Sequence, residues 1–251
     1  MSHKRARFAR VLVTGATSGV GEATAKLFAR RGARVALVAR RADELSRVQT
    51  EIGDLACAFR ADVADPSAAT GAVHAAIETF GGLDVVVNAA GIATQTAIGD
   101  LDVDIWRQTI DTNLSGTLYV SRAAGLHMDE AGGGSIVNVA SDLASTGAAG
   151  LAHYSASKAG VVGLTRALAI ELAPTVRVNV ICPGPVDTPM MRAGLALADD
   201  PQLARREKEA TVPLDRLADP DEVARAIYFL AMDATFATGT SMAFDGGTTA
   251  A

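Results

Sequence analysis

The sequence predicts an α/β fold, a doubly wound parallel sheet of about seven strands with helices on both faces. Short apolar segments rich in β-branched residues alternate with longer segments of helical composition. The short segments are almost continuously hydrophobic, which is typical of parallel strands that are buried on both faces. No change of composition divides the 251 residues. We therefore expect a single domain spanning 1–251.

The predicted elements follow one another in a regular βα order. Strands are predicted over 10–14, 34–39, 55–62, 83–88, 135–140, 176–182 and 241–244. Helices are predicted over 21–31, 42–52, 66–80, 104–130, 154–173 and 221–232, several of them ended by glycine or proline. The segment 186–212 is bounded by prolines and is predicted to be an inserted lid of loop and short helix.

Composition excludes several classes of function. With 23 basic and 28 acidic residues the net charge is −5, so we expect no binding to nucleic acid or to an anionic membrane. Charges interrupt every apolar stretch before about 18 residues, and the basic start of the chain lacks a signal-peptide core and cleavage site. The two cysteines have no metal-ligand spacing. We expect no metal and a cytoplasmic location.

A glycine-rich turn follows the first predicted strand in the sequence TGATSGVGEA. Its residues are Gly15, Thr17, Ser18, Gly19, Val20 and Gly21. Glycines permit a tight turn and a close approach of backbone N–H groups to a pyrophosphate, and the next helix offers its positive N-terminus. The alternative is a turn that merely requires glycine. The position of the glycine-rich turn between the first strand and the first helix favours dinucleotide binding.

Tyr154 and Lys158 stand four residues apart in YSASK, within a predicted helix. Four residues turn a helix by about 400°, so the two side chains lie about 40° apart on one face. We expect the ammonium to lower the pKa of the Tyr154 phenol by about one to three units, which would suit it to proton transfer. The alternative is a core tyrosine beside a lysine that reaches water. His153 points about 100° away and is predicted to line the pocket or the surface.

The glycine spacing G-x-x-x-G-x-G, followed far downstream by Y-x-x-x-K, resembles the short-chain dehydrogenase/reductase family, including its 3-oxoacyl reductases. Further motifs extend the resemblance over nearly the whole chain: NAAG at 88–91, Asn113, VNVAS ending at Ser141, PGPVDTPM from Pro183 and DGG at 245–247. The chain departs from the family pattern at Ala89, where a second Asn is usual. We expect this change to loosen one hydrogen bond in that turn.

The resemblance implies a Rossmann-type fold and an oxidoreductase that interconverts a carbonyl and a secondary alcohol with a nicotinamide cofactor. It implies four catalytic residues, namely Asn113, Ser141, Tyr154 and Lys158. Tyr154 would be the acid and base, Lys158 would also reach the nicotinamide ribose, and Ser141 would hold the substrate oxygen. Asn113 would bend its helix and hold a water that leads to the lysine. Beyond the glycine turn, the implied cofactor residues are Asp62, Val63, Asn88, Ala89, Gly91, Tyr154, Lys158, Pro183, Gly184, Val186 and Thr188.

The end of the second strand predicts a preference for NADP(H), with NAD(H) as the alternative. Ala39 stands where NAD-binding relatives carry Asp, and Arg40 and Arg41 follow it. A guanidinium is a bidentate partner for a 2′-phosphate. Ser18 weighs against this prediction, because some NADP-binding relatives have a second basic residue there. Asp62 resembles the residue that contacts adenine, or else caps the following helix.

The predicted helix 154–173 suggests a homo-oligomer, a dimer or tetramer as in the family. It carries three charges that point in different directions, so we expect burial on more than one side. The alternative function is a dinucleotide-binding redox sensor with weak catalysis. A sugar epimerase or dehydratase is a more distant alternative. The small apolar residues at 93–99, 142–151 and 186–212 point to a small-molecule substrate, an uncharged and fairly apolar carbonyl.

Overall fold

The strands of the computed structural model, which describes residues 9–250, form one parallel sheet in the order β3-β2-β1-β4-β5-β6-β7. They are β1 (Arg10–Thr14), β2 (Arg34–Ala39), β3 (Ala56–Arg60), β4 (Val85–Asn88), β5 (Gly134–Val139), β6 (Val176–Pro183) and β7 (Ser241–Phe244). Helices cover both faces, which confirms the predicted doubly wound sheet. Most of the basic start of the chain lies outside the described residues.

The helices follow the strands in the predicted order. They are α1 (Gly19–Arg30), α2 (Ala42–Ile52), α3 (Pro66–Phe80), α4 (Val103–Ile110), α5 (Gly116–Glu130), α6 (Ala152–Glu171), α7 (Pro189–Leu195), α8 (Pro201–Ala210) and α9 (Pro220–Tyr228). The strand order reverses between β1 and β4, where sequence neighbours no longer lie side by side. In open α/β sheets ligands bind at this point, outside the carboxyl ends of the strands.

The core lies on both sides of the central strand. Val11 and Val13 of β1 pack with Phe28 of α1 on one face, whereas Leu12 packs with Val120 of α5 on the other. All five side chains are at most 1% exposed. Burial of each such side chain contributes about 1.5–3 kcal/mol to the free energy of unfolding. The central strand is therefore held firmly between the two layers of helices.

The helix predicted over 104–130 is not continuous. A π-helical turn, Asp111–Ser115, separates α4 from α5. At its centre lies Asn113, whose side chain reaches the backbone of Ile92. A π turn widens the helix by one residue and occurs often at functional sites. The prediction that Asn113 bends its helix thus corresponds to a local change of helical turn.

The segment 186–212, predicted to be loop and short helix, contains two helices, α7 and α8. Asp187 links the two, because it pairs with Arg192 at 3.5 Å and with Arg205 at 3.0 Å. Across residues 9–250 no helix is both long and apolar enough to cross a membrane. The same residues contain no cluster of side chains suited to a metal ion.

Candidate active site

A cavity of about 710 Å³ opens at the carboxyl ends of the strands. It begins at the glycine turn after β1 and continues to the start of α6 and to α7 and α8. Most of the residues predicted for cofactor or substrate line it: Gly15, Thr17, Ser18, Gly19, Val20, Gly21, Arg40, Arg41, Asp62, Val63, Ala89, Gly91, Ser141, Tyr154, Lys158, Pro183, Gly184, Val186 and Thr188. Asn88 and Asn113 stand behind the wall.

The glycine turn has the geometry of a phosphate cradle. Gly15 and Gly19 have φ values of 66° and 53°, which favour glycine. A Cβ on Gly19 would lie 2.9 Å from Thr188 Cγ2, and one on Gly21 would collide with the Gly15 carbonyl oxygen. Ser18 at the N-cap of α1 makes no side-chain cap. The first N–H groups of α1 therefore lack a side-chain acceptor and suit the pyrophosphate of a dinucleotide.

Basic groups surround the end of β2. The Arg40 guanidinium lies 3.6 Å from the Asp62 carboxylate, and both side chains are about half exposed. Arg41 donates to Thr17 Oγ1 at 3.3 Å, and Arg47 of α2 donates to the Thr17 carbonyl oxygen at 3.2 Å. An exposed ion pair of this kind contributes at most about 1 kcal/mol, so Arg40 can exchange Asp62 for another anion.

The turn after β4 approaches the site through its backbone. Asn88 lies away from the cavity, and its amide donates to Ser121 Oγ and Asn138 Oδ1, both at 2.9 Å. Asn88 is among the predicted cofactor residues, and because its side-chain N–H groups bind these two buried acceptors, we expect any such contact from its backbone. Gly91 is close to Lys158, which is predicted to be catalytic, since a Cβ at Gly91 would lie 3.4 Å from Lys158 Nζ.

Asn113 joins two parts of the site. Its Oδ1 accepts a hydrogen bond from Ile92 N at 2.8 Å, and its Nδ2 donates to the Ile92 carbonyl oxygen and to Ser157 Oγ, both at 3.0 Å. Ser157 in turn donates to the Tyr154 carbonyl oxygen at 2.7 Å. Asn113 therefore ties the turn after β4 to the first turn of α6, which carries Tyr154.

Lys158 is 4% exposed and donates a 2.9 Å hydrogen bond to the Val139 carbonyl oxygen. Burial disfavours the charged form and lowers the pKa of Lys158 to about 8, an effect that the Cys182 thiol opposes. The Lys158 Nζ atom lies 5.6 Å from the centre of the Tyr154 ring. The prediction that the two side chains share one face of a helix fits this placement.

The Tyr154 phenol differs from expectation in its acidity. Burial raises its pKa to about 12, interaction with the Ser141 side chain opposes this shift, and the Asp142 carboxylate adds to it. The prediction of a lowered pKa is therefore wrong for the protein alone. Partial burial of the phenol on the cavity wall is the largest cause of the shift.

Ser141 begins a short 3₁₀ turn, Asp142–Ala144, after β5. Its hydroxyl donates to Asp142 Oδ1 at 2.8 Å and accepts from Leu143 N at 3.2 Å. Ser141 is thus held both by the turn and by a carboxylate that the sequence analysis did not single out. The position of Asp142 next to Ser141 in the sequence is the one feature that could have pointed to this carboxylate.

Three other placements depart from the sequence predictions. His153 is fully buried, and neither ring nitrogen has a partner among the described residues. It therefore lies neither at the surface nor on the cavity wall. Ser157, which binds Asn113, was not predicted. Lys208 of α8 lines the cavity. The sequence had placed the segment 186–212 at the pocket as small apolar residues and did not point to this lysine.

Comparisons with known proteins agree with this geometry. Residues 15–249 match the family described as Enoyl-(Acyl carrier protein) reductase. The cis-4-hydroxycyclohexanecarboxylate dehydrogenase of Sinomonas cyclohexanicum is 45% identical, covering 95% of this chain and 96% of that protein. The L-rhamnose 1-dehydrogenase (NAD(P)(+)) of Azotobacter vinelandii is 39% identical over 94% and 95%.

Solved structures extend the comparison to three dimensions. A variant of the actinorhodin polyketide ketoreductase with NADPH superposes with a TM-score of 0.92 at 34% identity, covering 97% of this chain and 98% of that one. The ligand-free aldohexose dehydrogenase of Thermoplasma acidophilum gives 0.88 at 32% identity, over 98% and 96%. Each covers nearly the full length of both chains.

Proposed function

Since the chain belongs to the short-chain dehydrogenase/reductase family, we propose that it interconverts a ketone and a secondary alcohol with NADP(H). The observation that carries this proposal is the meeting of Ser141, Tyr154 and Lys158 on the wall of the same cavity that holds the glycine cradle. A redox sensor would need the cradle alone. The presence of these groups in one cavity favours an enzyme.

Tyr154 is the proton donor and acceptor in this proposal. In reduction its hydroxyl gives a proton to the carbonyl oxygen, and in oxidation its phenolate takes the alcohol proton. A nicotinamide dinucleotide held by its pyrophosphate at the cradle would supply or accept the hydride. Ser141 holds the substrate oxygen beside Tyr154. Lys158 stands close enough to stabilise the phenolate by its charge, and with a pKa of about 8 it is largely protonated at neutral pH.

The preference for NADP(H) rests on Arg40 and Arg41 at the end of β2. Ala39 places no carboxylate against a 2′-phosphate, and both arginines line the cavity. The pair of Arg40 with Asp62 is half exposed and long, so a doubly charged phosphate competes with it well.

The substrate class follows from the lid over the cavity, formed by 186–212. Arg192 and Arg205 of the lid pair with Asp187, whereas Lys208 forms no ion pair within residues 9–250. A half-buried ammonium on a cavity wall favours an anionic group in the ligand. We propose a ring alcohol or ketone that carries a carboxylate away from the reacting carbon, as the name of the Sinomonas relative suggests.

A homo-oligomer is part of the proposal. Trp106 of α4, Leu118 and Leu126 of α5 and Ile170 of α6 are all more than a third exposed. Large apolar side chains on neighbouring helices support a surface that another subunit covers. Light scattering of the purified protein should give at least twice the mass of the 25.7 kDa chain, and a monomer would contradict this part.

The direct test is reduction of 4-oxocyclohexanecarboxylate, followed through NADPH absorbance, beside its methyl ester, cyclohexanone and a 3-oxoacyl thioester. We expect turnover of the free acid with NADPH, and a loss of at least about 10²-fold in Tyr154→Phe with NADPH binding kept. Full activity of Tyr154→Phe would exclude the mechanism. NADPH binding without turnover of any ketone or alcohol would favour the sensor.

A further inference from the structure

Asp142 is a carboxylate on the cavity wall beside the groups of the proposed reaction. Of the described residues that line the cavity, only Asp62 and Asp142 carry a carboxylate. Asp62 lies beside Arg40 at the end of β2, whereas Asp142 directly follows Ser141. Asp142 is 7% exposed, and the proposed reaction gives it no role. Such a charge requires an explanation, because burial of a carboxylate costs stability.

Two short hydrogen bonds fix the Asp142 carboxylate beside Ser141. Its Oδ1 accepts from Ser141 Oγ and from Leu143 N, both at 2.8 Å. In the proposed reaction Ser141 Oγ also holds the substrate oxygen, at a hydrogen-bond distance of about 3 Å. The negative charge of Asp142 therefore lies within about 6 Å of the reacting oxygen.

The Asp142 charge acts on two neighbouring groups. Burial is the largest cause that raises the pKa of the Tyr154 phenol and of the Cys182 thiol, and the Asp142 carboxylate adds to both shifts. The opposing cation is Lys158, whose Nζ lies 5.6 Å from the centre of the Tyr154 ring. An anionic group of a substrate placed among these residues would meet a carboxylate as well as the ammonium.

We propose that Asp142 determines specificity, because its charge excludes substrates that carry an anionic group on the reacting carbon or on the next carbon. This role rests on the proposed function and deepens it. Like charges a few ångström apart repel strongly in a site that is shielded from water. A carboxylate remote from the reacting carbon avoids this repulsion and can pair with Lys208 of the lid. Repulsion at one end and attraction at the other then select the same orientation of the substrate.

The variant Asp142→Asn removes the charge and keeps the shape of the side chain. The Asp142 carbonyl oxygen accepts from Ser145 Oγ at 3.2 Å and from Thr146 Oγ1 at 3.1 Å, contacts that do not involve the carboxylate. The asparagine oxygen can still accept from Ser141 Oγ. The turn after β5 should therefore persist in the variant.

The first measurement compares the oxidation of 2-hydroxycyclohexanecarboxylate and 4-hydroxycyclohexanecarboxylate with NADP⁺, each beside its methyl ester. For each position, the ratio of kcat/KM for the acid to that for the ester is determined in the wild type and in Asp142→Asn. A general effect of the variant on Tyr154 acts on acid and ester alike and cancels in this ratio. We expect the ratio to rise at least about tenfold at position 2 and less than about threefold at position 4. Asp54→Asn, which removes an exposed charge before β3, should change neither ratio.

The second measurement needs no turnover. Salicylate carries a hydroxyl beside a carboxylate and cannot lose a hydride, because the carbon that bears its hydroxyl has no hydrogen. Salicylate and its neutral methyl ester are titrated by calorimetry into the protein saturated with NADPH. We expect Asp142→Asn to lower the Kd of salicylate about tenfold and to change that of the ester by less than about twofold.

An unchanged acid-to-ester ratio at position 2 would overturn the proposal, and so would an equal rise at both positions. If the wild type turns over no ketone or alcohol, the proposed function fails and the calorimetry decides. Tighter binding of salicylate by Asp142→Asn then supports the exclusion by charge, and unchanged binding overturns it. If the 4-hydroxy acid is oxidised but neither the ratio nor salicylate binding responds to Asp142→Asn, the proposed function stands while the role of Asp142 fails.

Discussion

The Lys158 ammonium donates a 2.9 Å hydrogen bond to the Val139 carbonyl oxygen and has no carboxylate partner within residues 9–250. A buried cation that is held by one neutral acceptor is poorly compensated for its lost hydration. The same group must stand beside the Tyr154 phenol for the proposed proton transfer. The site therefore keeps a destabilising charge at the position where catalysis uses it.

The first prediction concerns pH and stability. The pKa of Lys158 is about 8 in the folded protein and 10.5 as the ordinary value. Between these values the unfolded chain binds more protons, so the Lys158 contribution to the free energy of unfolding rises with pH, by up to about 3 kcal/mol. Lys158→Met lacks this titration. We expect urea unfolding to show the variant gaining stability over the wild type at pH 7 and losing that advantage towards pH 10.

Arg225→Met is the control for this experiment, because it removes an exposed cation of a type that does not lose its proton in proteins. Its difference from the wild type should stay constant over the same pH range. A pH-independent difference between Lys158→Met and the wild type would show that the Lys158 ammonium is not desolvated.

The second prediction concerns the hydrogen bonds by which Asn113 connects the turn after β4 to α6. Asn113→Ala leaves Ile92 N and its carbonyl oxygen, both part-buried, without their partner. We expect a loss of about 2–4 kcal/mol in the free energy of unfolding, together with at least a tenfold loss of kcat, because α6 is no longer tied to the turn after β4.

Asn179→Ala provides the comparison. Asn179 is fully buried and binds Ala237 and Thr240 near β7, away from the cavity. This variant should lose similar stability but keep kcat at a temperature where it is folded. Equal losses of kcat in both variants would mean that Asn113 serves only the fold.

The sequence predicted the sheet well because its signals are local. Val11, Leu12 and Val13 form a continuous apolar run, which predicts a buried parallel strand. The glycine turn is partly local: Gly15 and Gly19 have positive φ values, and a Cβ on Gly21 would collide with the Gly15 carbonyl oxygen. The contacts that a Cβ on Gly15 or Gly19 would meet come from distant segments, namely Ala89 and Ala90 or Thr188. Helix ends were less accurate: α6 begins at Ala152, two residues before the prediction, because no capping side chain marks its start.

What the sequence could not predict depends on contacts between distant segments. The π turn at Asn113 needs the backbone of Ile92, which is remote in sequence. The raised pKa of Tyr154 depends on how far the assembled fold desolvates the phenol, which involves groups from other elements. Asn88 matched a family motif, yet its direction is set by Ser121 and Asn138 of other elements.

The third prediction concerns cofactor preference. Arg40→Ala should raise the Kd of NADPH by about tenfold or more, since a charge-assisted contact to the 2′-phosphate is lost, and change that of NADH by less than about twofold. Binding is measured by the fluorescence of the reduced nicotinamide. Ala39→Asp should reverse the preference through repulsion of the phosphate.

Arg225→Ala is the control for charge removal, because Arg225 is exposed on α9 and does not line the cavity. It should leave both dissociation constants unchanged. A wild-type protein that binds NADH as tightly as NADPH would refute the assignment of Arg40 and Arg41 to the phosphate.

The fourth prediction concerns the carboxylate of the substrate. Lys208→Met should raise KM for 4-oxocyclohexanecarboxylate by about tenfold or more with little change in kcat, because the ammonium would bind ground state and transition state alike. The methyl ester, which has no charge to pair, should show no such change. Arg206→Met removes a neighbouring exposed charge from α8 that does not line the cavity and should affect neither substrate. If acid and ester respond equally to Lys208→Met, the side chain acts by shape, and the neutral carbonyl that the sequence indicated becomes the better substrate class.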